Sequence, residues 1–353
     1  MNQELLTRGQ EAVARGLGWL RGHAAEISQL QDFDAHYKAP YLYAVAGDPV
    51  RARYYVDLMR ARYLQQDGDF RAGPLQKGWV KLPIMPANRY LYPNGWIIVG
   101  LRKLGAYGLA ERGIQFVRRF QSPELGGFFS RFDLAGGQVN PGYLDSASTS
   151  AAGLALLACG SVEEARRAGD FVLRLLDAQP EPERYFYTSW EAGRGLMIDV
   201  WGDENLGAMY GRKQFCLSAE ADPSRELVWF AGKPMKFLGK LYDRTSERKY
   251  LDGAIRLFDF FHRLGEGRWS NLSACKIMWG GAELYRHTGE RRFAETAERI
   301  FDWLCRHQDP SGVWVHTIFF QRPEDQPLPT SCDVVQELCA EMLDSMFDLG
   351  DLP

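Results

Sequence analysis

The stretch SERKYLDGAIRLFDFFHRLGEGRWSNLSACKIMWGGAEL (246–284) contains two helical patterns of different kinds. In its first part, apolar residues recur every three or four positions from Tyr250 to Leu264 with charged residues between them, which predicts a helix with one buried side. Its second part, residues 271–284, is nearly free of charge, and a helix that is apolar on every side has to be buried on every side. The stretch therefore predicts an outer helix followed by an inner one.

Patterns of the same two kinds alternate along the chain. The one-sided patterns lie at 49–65, 161–178 and 291–308, with weaker ones at 3–22 and 106–120, and the apolar patterns lie at 94–101 and 146–158, with more polar ones at 35–47, 227–241 and 331–346. About twelve helices in about six pairs of one outer and one inner helix are expected of two concentric rings. The sequence therefore predicts an all-α (α/α)6 toroid that forms one domain over residues 1–353.

The connections between these helices differ in length. Turns from an inner to an outer helix are short, as at 46–49, 104–106 and 244–247, whereas most loops from an outer to an inner helix are long. The long loops span 66–87, 121–144, 179–223 and 309–330. All of them should open on one face of the toroid, and long loops in a compact domain are more often functional than idle. Aromatic-rich runs around glycine-containing turns predict small β-hairpins at 126–140 and 185–200.

The composition excludes several classes of protein. Lys and Arg number 42 against 45 Asp and Glu, for a net charge of −3, and no basic run of the kind that binds nucleic acid is present. No apolar stretch approaches the roughly 18 residues that span a bilayer, and the polar N-terminal segment predicts a cytoplasmic protein. The six cysteines are far apart, so free buried thiols are expected. Aromatic residues, at 13% of the chain, are numerous enough to line a pocket as well as a core.

Three of the long loops begin with a glutamine. The segment from Gln308 to Trp314 fits Q-x-x-x-G-x-W in full, and the loops that begin at Gln66 and Gln121 fit it in part. These segments resemble the QW repeat of the squalene and terpenoid cyclases, whose toroid is shared by the β subunits of the protein prenyltransferases. Residues 141–158 are similar to the D-x-x-x-T-x-x-A-L stretch that opens an inner helix in that superfamily. The resemblance implies the fold more than the chemistry, because one fold hosts many reactions.

The motifs that carry chemistry in these families are incomplete. The D-x-D-D acid motif of the class II terpene cyclases has only a partial equivalent in DFDA (32–35), which lacks the last carboxylate. Prenyltransferases carry Asp, Cys and His zinc ligands, but the only cysteine at ligand spacing from a histidine is Cys305, with His307, at the end of an outer helix, so no metal is expected. The toroid also resembles the six-hairpin glycosidases, the unsaturated-uronyl hydrolases and the N-acylglucosamine 2-epimerase family, of which residues 284–304 are typical.

Candidate catalytic residues lie where inner helices begin, because free N–H groups and polar side chains there should point at the loop face. The segment DFDAHYKAP (32–40) collects carboxylates, an imidazole, a phenol and an ammonium at the start of an otherwise apolar helix. Burial beside unlike charges shifts pKa values as proton transfer requires. The predicted catalytic residues are Asp34, His36, Tyr37, Lys38 and Asp145. Structural alternatives remain open: a salt-bridge cluster at 32–40, and an N-cap at Asp145.

Aromatic side chains at the same mouth are predicted to bind the substrate, since aromatic faces stabilise developing positive charge and hold apolar molecules. They are Tyr92, Trp96, Phe128, Trp190, Trp229, Trp279 and Trp314. Asn271, Asp333 and His316 are predicted to join them, although Asp333 also fits a capping box and His316 a surface loop. Lys233 and Lys236 lie on an inner helix, where either could reach a carboxylate of the substrate or extend its ammonium to solvent.

The leading hypothesis is a cofactor-free cyclase or isomerase that acts on an apolar or polycyclic small molecule, such as a terpenoid- or polyketide-like natural product, by acid/base-assisted or shape-driven rearrangement. The sequence has no P-loop, dinucleotide fingerprint or nucleophile elbow, so no nucleotide cofactor is indicated. One alternative is a carbohydrate-active enzyme, a hydrolase or sugar epimerase, in which aromatics stack on sugars and two carboxylates share the acid/base work. Another is a non-catalytic binding toroid. The expected partner is a small molecule, not nucleic acid or a membrane, and a homodimer is left open.

Overall fold

Helices arranged in two layers around one axis make up most of the computed structural model, which describes residues 1–77, 89–198, 216–222, 224, 226–317 and 319–350. The helices are α1 (Gln3–Gly22), α2 (Ala24–Gln29), α3 (Ala39–Val45), α4 (Pro49–Leu58), α5 (Tyr92–Lys103), α6 (Tyr107–Arg118), α7 (Ser146–Ala158), α8 (Val162–Asp177), α9 (Trp229–Thr245), α10 (Arg248–Arg263), α11 (Cys275–Thr288), α12 (Arg291–Arg306) and α13 (Leu328–Leu349). No helix in the described ranges combines the length and apolar character that crossing a bilayer requires. Parts of the predicted loops 66–87, 179–223 and 309–330, and the end of the predicted hairpin 185–200, lie outside the described residues.

The inner ring consists of α3, α5, α7, α9, α11 and α13. Each of these helices packs on the next one along the chain, and α13 packs on α3, which closes the ring. The outer helices α4, α6, α8, α10 and α12 each pack on the inner helix that precedes them, and α1 packs on α13. The (α/α)6 toroid predicted from the alternation of helical patterns is therefore confirmed.

Burial explains why the two kinds of pattern alternate. On the outer helix α12, Phe293, Ala297 and Ile300 are buried while Arg291 and Glu295 are exposed. On the inner helix α7, every residue from 146 to 153 is buried, because other helices and loops surround it. An outer helix therefore needs one apolar side, whereas an inner helix needs apolar or paired residues all around.

The Q-x-x-x-G-x-W segment ties the last outer helix to the first. The side-chain amide of Gln308 donates to the carbonyl oxygens of Ala12 (2.9 Å) and Gly312 (3.0 Å), and its oxygen accepts a hydrogen bond from Arg15 at 3.0 Å. Trp314 is fully buried, and its Nε1 donates to a carbonyl of α12 at 2.9 Å. This arrangement, here termed the glutamine clasp, closes the outer ring between α12 and α1.

The loop after α6 contains a second glutamine clasp. The amide of Gln121 donates to the carbonyls of Gly126 and Glu164, both at 2.8 Å, and its oxygen accepts from Arg167 at 2.9 Å. Gly126 and Gly312 have φ of 77° and 101°, and a Cβ at either would lie 2.5 or 2.6 Å from a carbonyl oxygen of the neighbouring outer helix. Both positions therefore require glycine. The recurring sequence pattern reflects a recurring contact between outer helices.

Short strands occupy the long loops. They are β1 (Phe129–Asp133), β2 (Gln138–Asp145), β3 (Tyr185–Tyr187), β4 (Ser189–Glu191), β5 (Gly195–Leu196) and β6 (Cys216–Ser218). One sheet has the order β1-β2-β4-β5, antiparallel throughout, and β3 pairs antiparallel with β6. The predicted small hairpins are thus present as β1–β2 and β4–β5. Because β2 runs directly into α7, the larger sheet positions the start of an inner helix.

The closeness of α3 and α5 can be tested at Gly100. A Cβ there would lie 2.5 Å from the backbone nitrogen of Tyr41 and 2.7 Å from the carbonyl carbon of Pro40. Because backbone cannot rotate away, we expect Gly100→Ala to lower the free energy of unfolding by about 1–3 kcal/mol, the usual cost of overpacking. Gly108→Ala on α6 is the control, since an added Cβ there meets nothing within 4 Å, and it should be neutral or slightly stabilising. Urea denaturation measures both, and equal stability of the two variants would contradict the close contact.

Candidate functional site

A cavity of about 100 Å³ opens among the long loops, between the N-terminal ends of the inner helices. This loop-face cavity is lined by seven of the residues predicted from sequence, namely Asp34, Tyr37, Lys38, Tyr92, Trp229, His316 and Asp333. Asp34 is held in a 3-10 turn (Phe33–Ala35) whose N-cap is Asp32. The structure therefore brings together side chains that are far apart in the sequence, such as Lys38 and Glu337, which are separated by 299 positions.

The floor of the loop-face cavity is a network of ion pairs. Lys38 Nζ lies 2.9 Å from Asp333 and 2.8 Å from Glu337, and Lys276 contacts both Glu337 and Glu341. Because Asp333 and Glu337 bind the same ammonium group, their carboxylate oxygens lie within about 6 Å of each other. The participating side chains come from the N-cap of α3, which is Lys38, and from α11 and α13, so the floor exists only in the closed ring.

Burial opposes ionisation throughout this floor, and the ion pairs decide which groups keep their charge. Burial lowers the pKa of Lys38, but the carboxylates of Asp333 and Glu337 outweigh burial and raise it. In the same way, Glu337 and Glu341 raise the pKa of Lys276 well above its usual value. Despite its burial, Glu337 has its pKa held far below the usual range by the two lysines. Burial raises the pKa of Asp333 and of Glu341. The ion pairs therefore keep Lys38, Lys276 and Glu337 charged in spite of their burial. In the described part of the chain, no group of His, Cys, Asp or Glu is placed to hold a metal ion.

Two groups beside the floor are neutral at pH 7. Burial and the nearby Asp333 raise the pKa of Asp34 to about 8, and burial lowers the pKa of His316 to about 4. The Oδ1 of Asp34 and the Nδ1 of His316 have no hydrogen-bond partner among the described residues. The loop-face cavity thus contains a carboxylic acid that keeps its proton and an imidazole that can accept one.

Aromatic side chains form one wall. The rings of Tyr37 and Tyr92 meet edge to face with centroids 6.5 Å apart, and Tyr92 and Trp229 do so at 5.6 Å. The hydroxyl of Tyr92 donates to Glu337 at 3.2 Å. Flat apolar surfaces therefore stand directly beside charged and hydrogen-bonding groups.

Trp96 and Trp279 lie on the axis below this floor rather than at the mouth. Their rings stack with centroids 5.9 Å apart and 11° between planes, and Trp279 Nε1 donates to Asp344 at 3.0 Å. The ammonium groups of Lys38 and Lys276 lie 5.8 and 5.1 Å from the centroid of Trp96. Both indoles line a second cavity, of about 470 Å³, on the far side. This second space is here termed the turn-face cavity, because the short turns surround it.

Asp145 does not line the loop-face cavity but is the N-cap of α7. Its Oδ1 accepts from the N–H of Ser148 at 2.7 Å, and its Oδ2 accepts from the hydroxyls of Ser148 (2.6 Å) and Ser130 (2.5 Å). The side chain is thereby committed to joining β1 to the start of α7. Of the two roles left open by the sequence, the geometry matches the cap.

The side chains of His36 and Asn271 also have structural roles. The imidazole of His36 faces away from the loop-face cavity, with Nε2 3.2 Å from the carbonyl of Leu30 and its ring 5.8 Å from that of Tyr63. Asn271 accepts from the N–H of Ser273 at 2.8 Å and donates to a backbone carbonyl at 3.2 Å. Neither side chain lines the cavity.

Phe128, Trp190 and Trp314 pack in the layers around the inner ring. Phe128 is fully buried, and its N–H donates to Thr149 at 2.9 Å. Trp190 on β4 meets Phe171 edge to face at 6.3 Å, beside a shallow surface cavity in the loops. Trp314 belongs to the glutamine clasp. These three aromatic side chains therefore support the surrounding structure and do not line the loop-face cavity.

The sequence places Asp333 and Glu337 at the start of an inner helix, within the plausible acid/base set, but the rest of the acidic stripe of α13 was not predicted. Asp333, Glu337, Glu341, Asp344 and Asp348 follow one another at spacings of three or four residues, which places them on one face of a helix. That face points at the axis and meets Lys38 at the N-cap of α3 and lysines of α9 and α11. Acidic residues at helical spacing on a helix that must be buried are the signal that could have identified them, together with Lys276.

No protein-family model matches the chain, and no curated protein matches it in sequence. Among solved structures it is similar to a D-mannose isomerase, with a TM-score of 0.64 and 11% identity, covering 90% of this chain and 87% of that one. It is similar to the GH76 α-mannanase BT2949 of Bacteroides thetaiotaomicron (TM-score 0.59, 14% identity, 89% and 86% covered). A type II terpene cyclase from Scytonema is similar as well (TM-score 0.58, 10% identity, 99% and 100% covered). At these identities the likeness shows the toroid fold, and it includes both groups of enzymes that the sequence resembles.

Replacement of Asp145 tests its capping role. Asp145→Ala leaves an N–H and two hydroxyls without their acceptor, so we expect the free energy of unfolding to fall by about 2–4 kcal/mol. The control is Asp177→Ala at the exposed end of α8, where the ion pair with Arg256 lies on the surface and its loss should change stability by less than about 0.5 kcal/mol. Urea denaturation compares the two, and similar stabilities would rule out the capping role.

Proposed function

We propose that the protein is an enzyme that isomerises or epimerises a small sugar, or a related polyhydroxylated compound, in the loop-face cavity by proton transfer. The observation that carries the proposal is the pair of buried, protonated lysines, Lys38 and Lys276, fixed at the floor by carboxylates. Isomerisation of a hydroxy-carbonyl compound through its enediol develops negative charge on oxygen, and preorganised cations in a buried site stabilise such charge.

The charged floor also disfavours an apolar substrate. Lys38 and Lys276 each pair with two carboxylates, and an apolar molecule that covers these groups removes water from them without offering hydrogen bonds in return. Such desolvation of charged groups is unfavourable. Of the functions considered from sequence, the charged floor therefore favours a carbohydrate-active enzyme over a cyclase of apolar substrates.

His316 and Asp34 can carry the two proton transfers. The neutral imidazole of His316 would take the proton from the carbon next to the carbonyl group, and the electron pair of that C–H bond would form the C=C bond of the enediol. Asp34 would give its proton to the carbonyl oxygen beside the lysines. For the isomer, the protonated His316 gives a proton to the former carbonyl carbon while Asp34 takes the proton of the neighbouring hydroxyl group, which becomes the new carbonyl group. For the epimer, a proton returns to the opposite face of the original carbon after the enediol has turned, while Asp34 takes back the proton that it gave. The atoms balance without a cofactor.

The shape of the loop-face cavity supports a small polar substrate. Tyr37, Tyr92 and Trp229 offer flat faces to the C–H side of a sugar ring, while the floor offers partners for its hydroxyl groups. The space of about 100 Å³ suits a monosaccharide better than a folded polyprenyl chain. The similarity in fold to a D-mannose isomerase supports the same class of reaction.

One observation favours a second candidate, the acid-initiated cyclisation or rearrangement of an apolar substrate. Asp34 has a pKa of about 8 and keeps its proton at neutral pH, as a proton donor to an alkene requires. It shares the cavity with Tyr37 and Trp229, whose faces could hold an unsaturated chain. The fold likeness to a type II terpene cyclase is compatible with this candidate.

Incubation with a panel of aldoses, ketoses and N-acylhexosamines in D2O, followed by NMR, tests the proposal. We expect deuterium to enter the carbon next to the carbonyl group of one sugar as its isomer or epimer appears, because the removed proton exchanges with solvent. Asp34→Asn should lower the rate at least about 100-fold. The control Asp32→Asn should retain it, since Asn is an equally good N-cap. If no sugar exchanges while a polyprenyl substrate is converted, the second candidate replaces the first.

The pH dependence of the rate follows from the two neutral groups. Below about pH 4 His316 is protonated and cannot accept a proton, and above about pH 8 Asp34 has none to give, so a bell-shaped profile is expected. A rate that is unchanged through pH 8 would exclude Asp34 as the acid.

The stability of the protein should also depend on pH through Asp34. The pKa of Asp34 is higher in the folded chain than its unfolded value of 3.8, so folding takes up a proton and stability is lost as pH rises from 3.8 to about 8. Thermal denaturation should accordingly show that Asp34→Asn gains stability over the wild type across this window.

A further inference from the structure

The turn-face cavity, of about 470 Å³, opens at the end of the inner ring opposite the long loops. Its lining comes mainly from α5, α7, α9, α11 and α13, largely from their C-terminal halves. It shares no lining residue with the loop-face cavity. Its contents would therefore be recognised by a different set of side chains.

Positive charge exceeds negative charge on its wall. The carboxylates near it are engaged: Asp348 pairs with Lys236 at 2.8 Å, Asp243 with Arg286 at 3.3 Å, and Asp344 accepts hydrogen bonds from Tyr41 and Trp279. Four further cations on this wall have no carboxylate at ion-pair distance in the part of the chain that the structure describes, namely Arg102, Lys103, Lys233 and Arg244. A bound anion would compensate this charge.

Lys233 is the innermost of these four cations. Its side chain is buried, at 2% exposure, and its ammonium contacts ring faces, 4.1 Å from the centroid of Tyr92 and 4.6 Å from that of Trp96. Burial, with Lys276 nearby, lowers its pKa well below the usual value, and a bound carboxylate would stabilise the protonated form. A buried ammonium without an anion is costly, so burial favours the neutral amine. An anionic group that reaches Lys233 at the inner end of the open cavity would restore its charge and pair with it.

The remaining wall is apolar and partly aromatic. Trp96, Trp279 and Leu154 line the inner part. At the rim stand Phe347 and Tyr107, which are 66% and 58% exposed and belong to the few large apolar side chains that reach solvent in the described residues. Apolar walls around a small number of convergent polar groups are typical of small-molecule sites.

We propose that the turn-face cavity binds a small organic anion, whose carboxylate pairs with Lys233 and whose flat apolar body lies between the Trp96–Trp279 pair and the rim. Lys233 touches the ring of Tyr92, which belongs to the wall of the loop-face cavity, but no residue lines both cavities. The proposal therefore does not depend on the function assigned to the loop-face cavity.

Isothermal titration calorimetry with 2-naphthoate and its uncharged analogue 2-naphthylmethanol tests this proposal. We expect 2-naphthoate to bind saturably to the wild type, and 2-naphthylmethanol to bind at least about tenfold more weakly because it lacks the charge. Lys233→Met keeps the length of the side chain but removes the ammonium, and should weaken 2-naphthoate binding by at least about tenfold. The control Lys249→Met removes an exposed lysine of α10 that pairs with Asp170, and should bind as the wild type does.

Two further variants locate the binding. Leu154→Trp fills the turn-face cavity without changing its charge and should abolish 2-naphthoate binding, whereas Asp34→Asn in the loop-face cavity should leave it unchanged. If Lys233→Met folds poorly, Leu154→Trp and the uncharged analogue still test whether the turn-face cavity binds the anion. The proposal is overturned if 2-naphthoate gives no saturable heat, if 2-naphthylmethanol binds equally well, or if Leu154→Trp or a folded Lys233→Met binds it like the wild type.

Discussion

Ion pairs across the axis of the inner ring are the interaction on which the rest of the structure depends. Lys276 of α11 lies between Glu337 and Glu341 of α13, and on the other side of the stacked indoles Lys236 of α9 lies 2.8 Å from both Glu283 and Asp348. A charge buried this deeply is tolerated only with its partner, because removing one member of such a pair costs about 3–5 kcal/mol. The requirement favours the single arrangement of inner helices in which every acid of α13 meets its partner.

The stacked pair Trp96 and Trp279 divides the axial space into two cavities of different character. On the loop face, Lys38 and Lys276 are held by carboxylates beside a neutral acid and a neutral imidazole, which suits proton transfer at a substrate that develops negative charge. On the turn face, cations are in excess and the wall is apolar. The two ends of the inner ring therefore offer different chemical environments to a ligand, because the helix ends at each face carry different side chains.

The candidate site could be predicted where a local pattern coincided with a position at the mouth, as it did for Asp34, Tyr37 and Lys38. A local sequence pattern does not predict a role where the same motif has two functions. A carboxylate at the start of an uncharged helix is compatible with a catalytic acid and with a helix N-cap, which is the role of Asp145. The tryptophan of the QW-like segment was predicted to bind substrate at the loop face, whereas Trp314 is packed inside a glutamine clasp. Hydrogen-bond partners decide between these roles, and they come from other parts of the chain.

The sequence by itself determined the toroid, because burial on one side or on every side leaves a period in the order of apolar residues, and it determined which face carries the long loops. Only the tertiary structure decided where the charges meet. Lys38 and Glu337 are 299 positions apart, and nothing local to either indicates the other. Their pairing and the shifted pKa values of Asp34 and His316 arise when α13 closes against α3, since electrostatic interactions depend on distance and burial in space rather than on order along the chain.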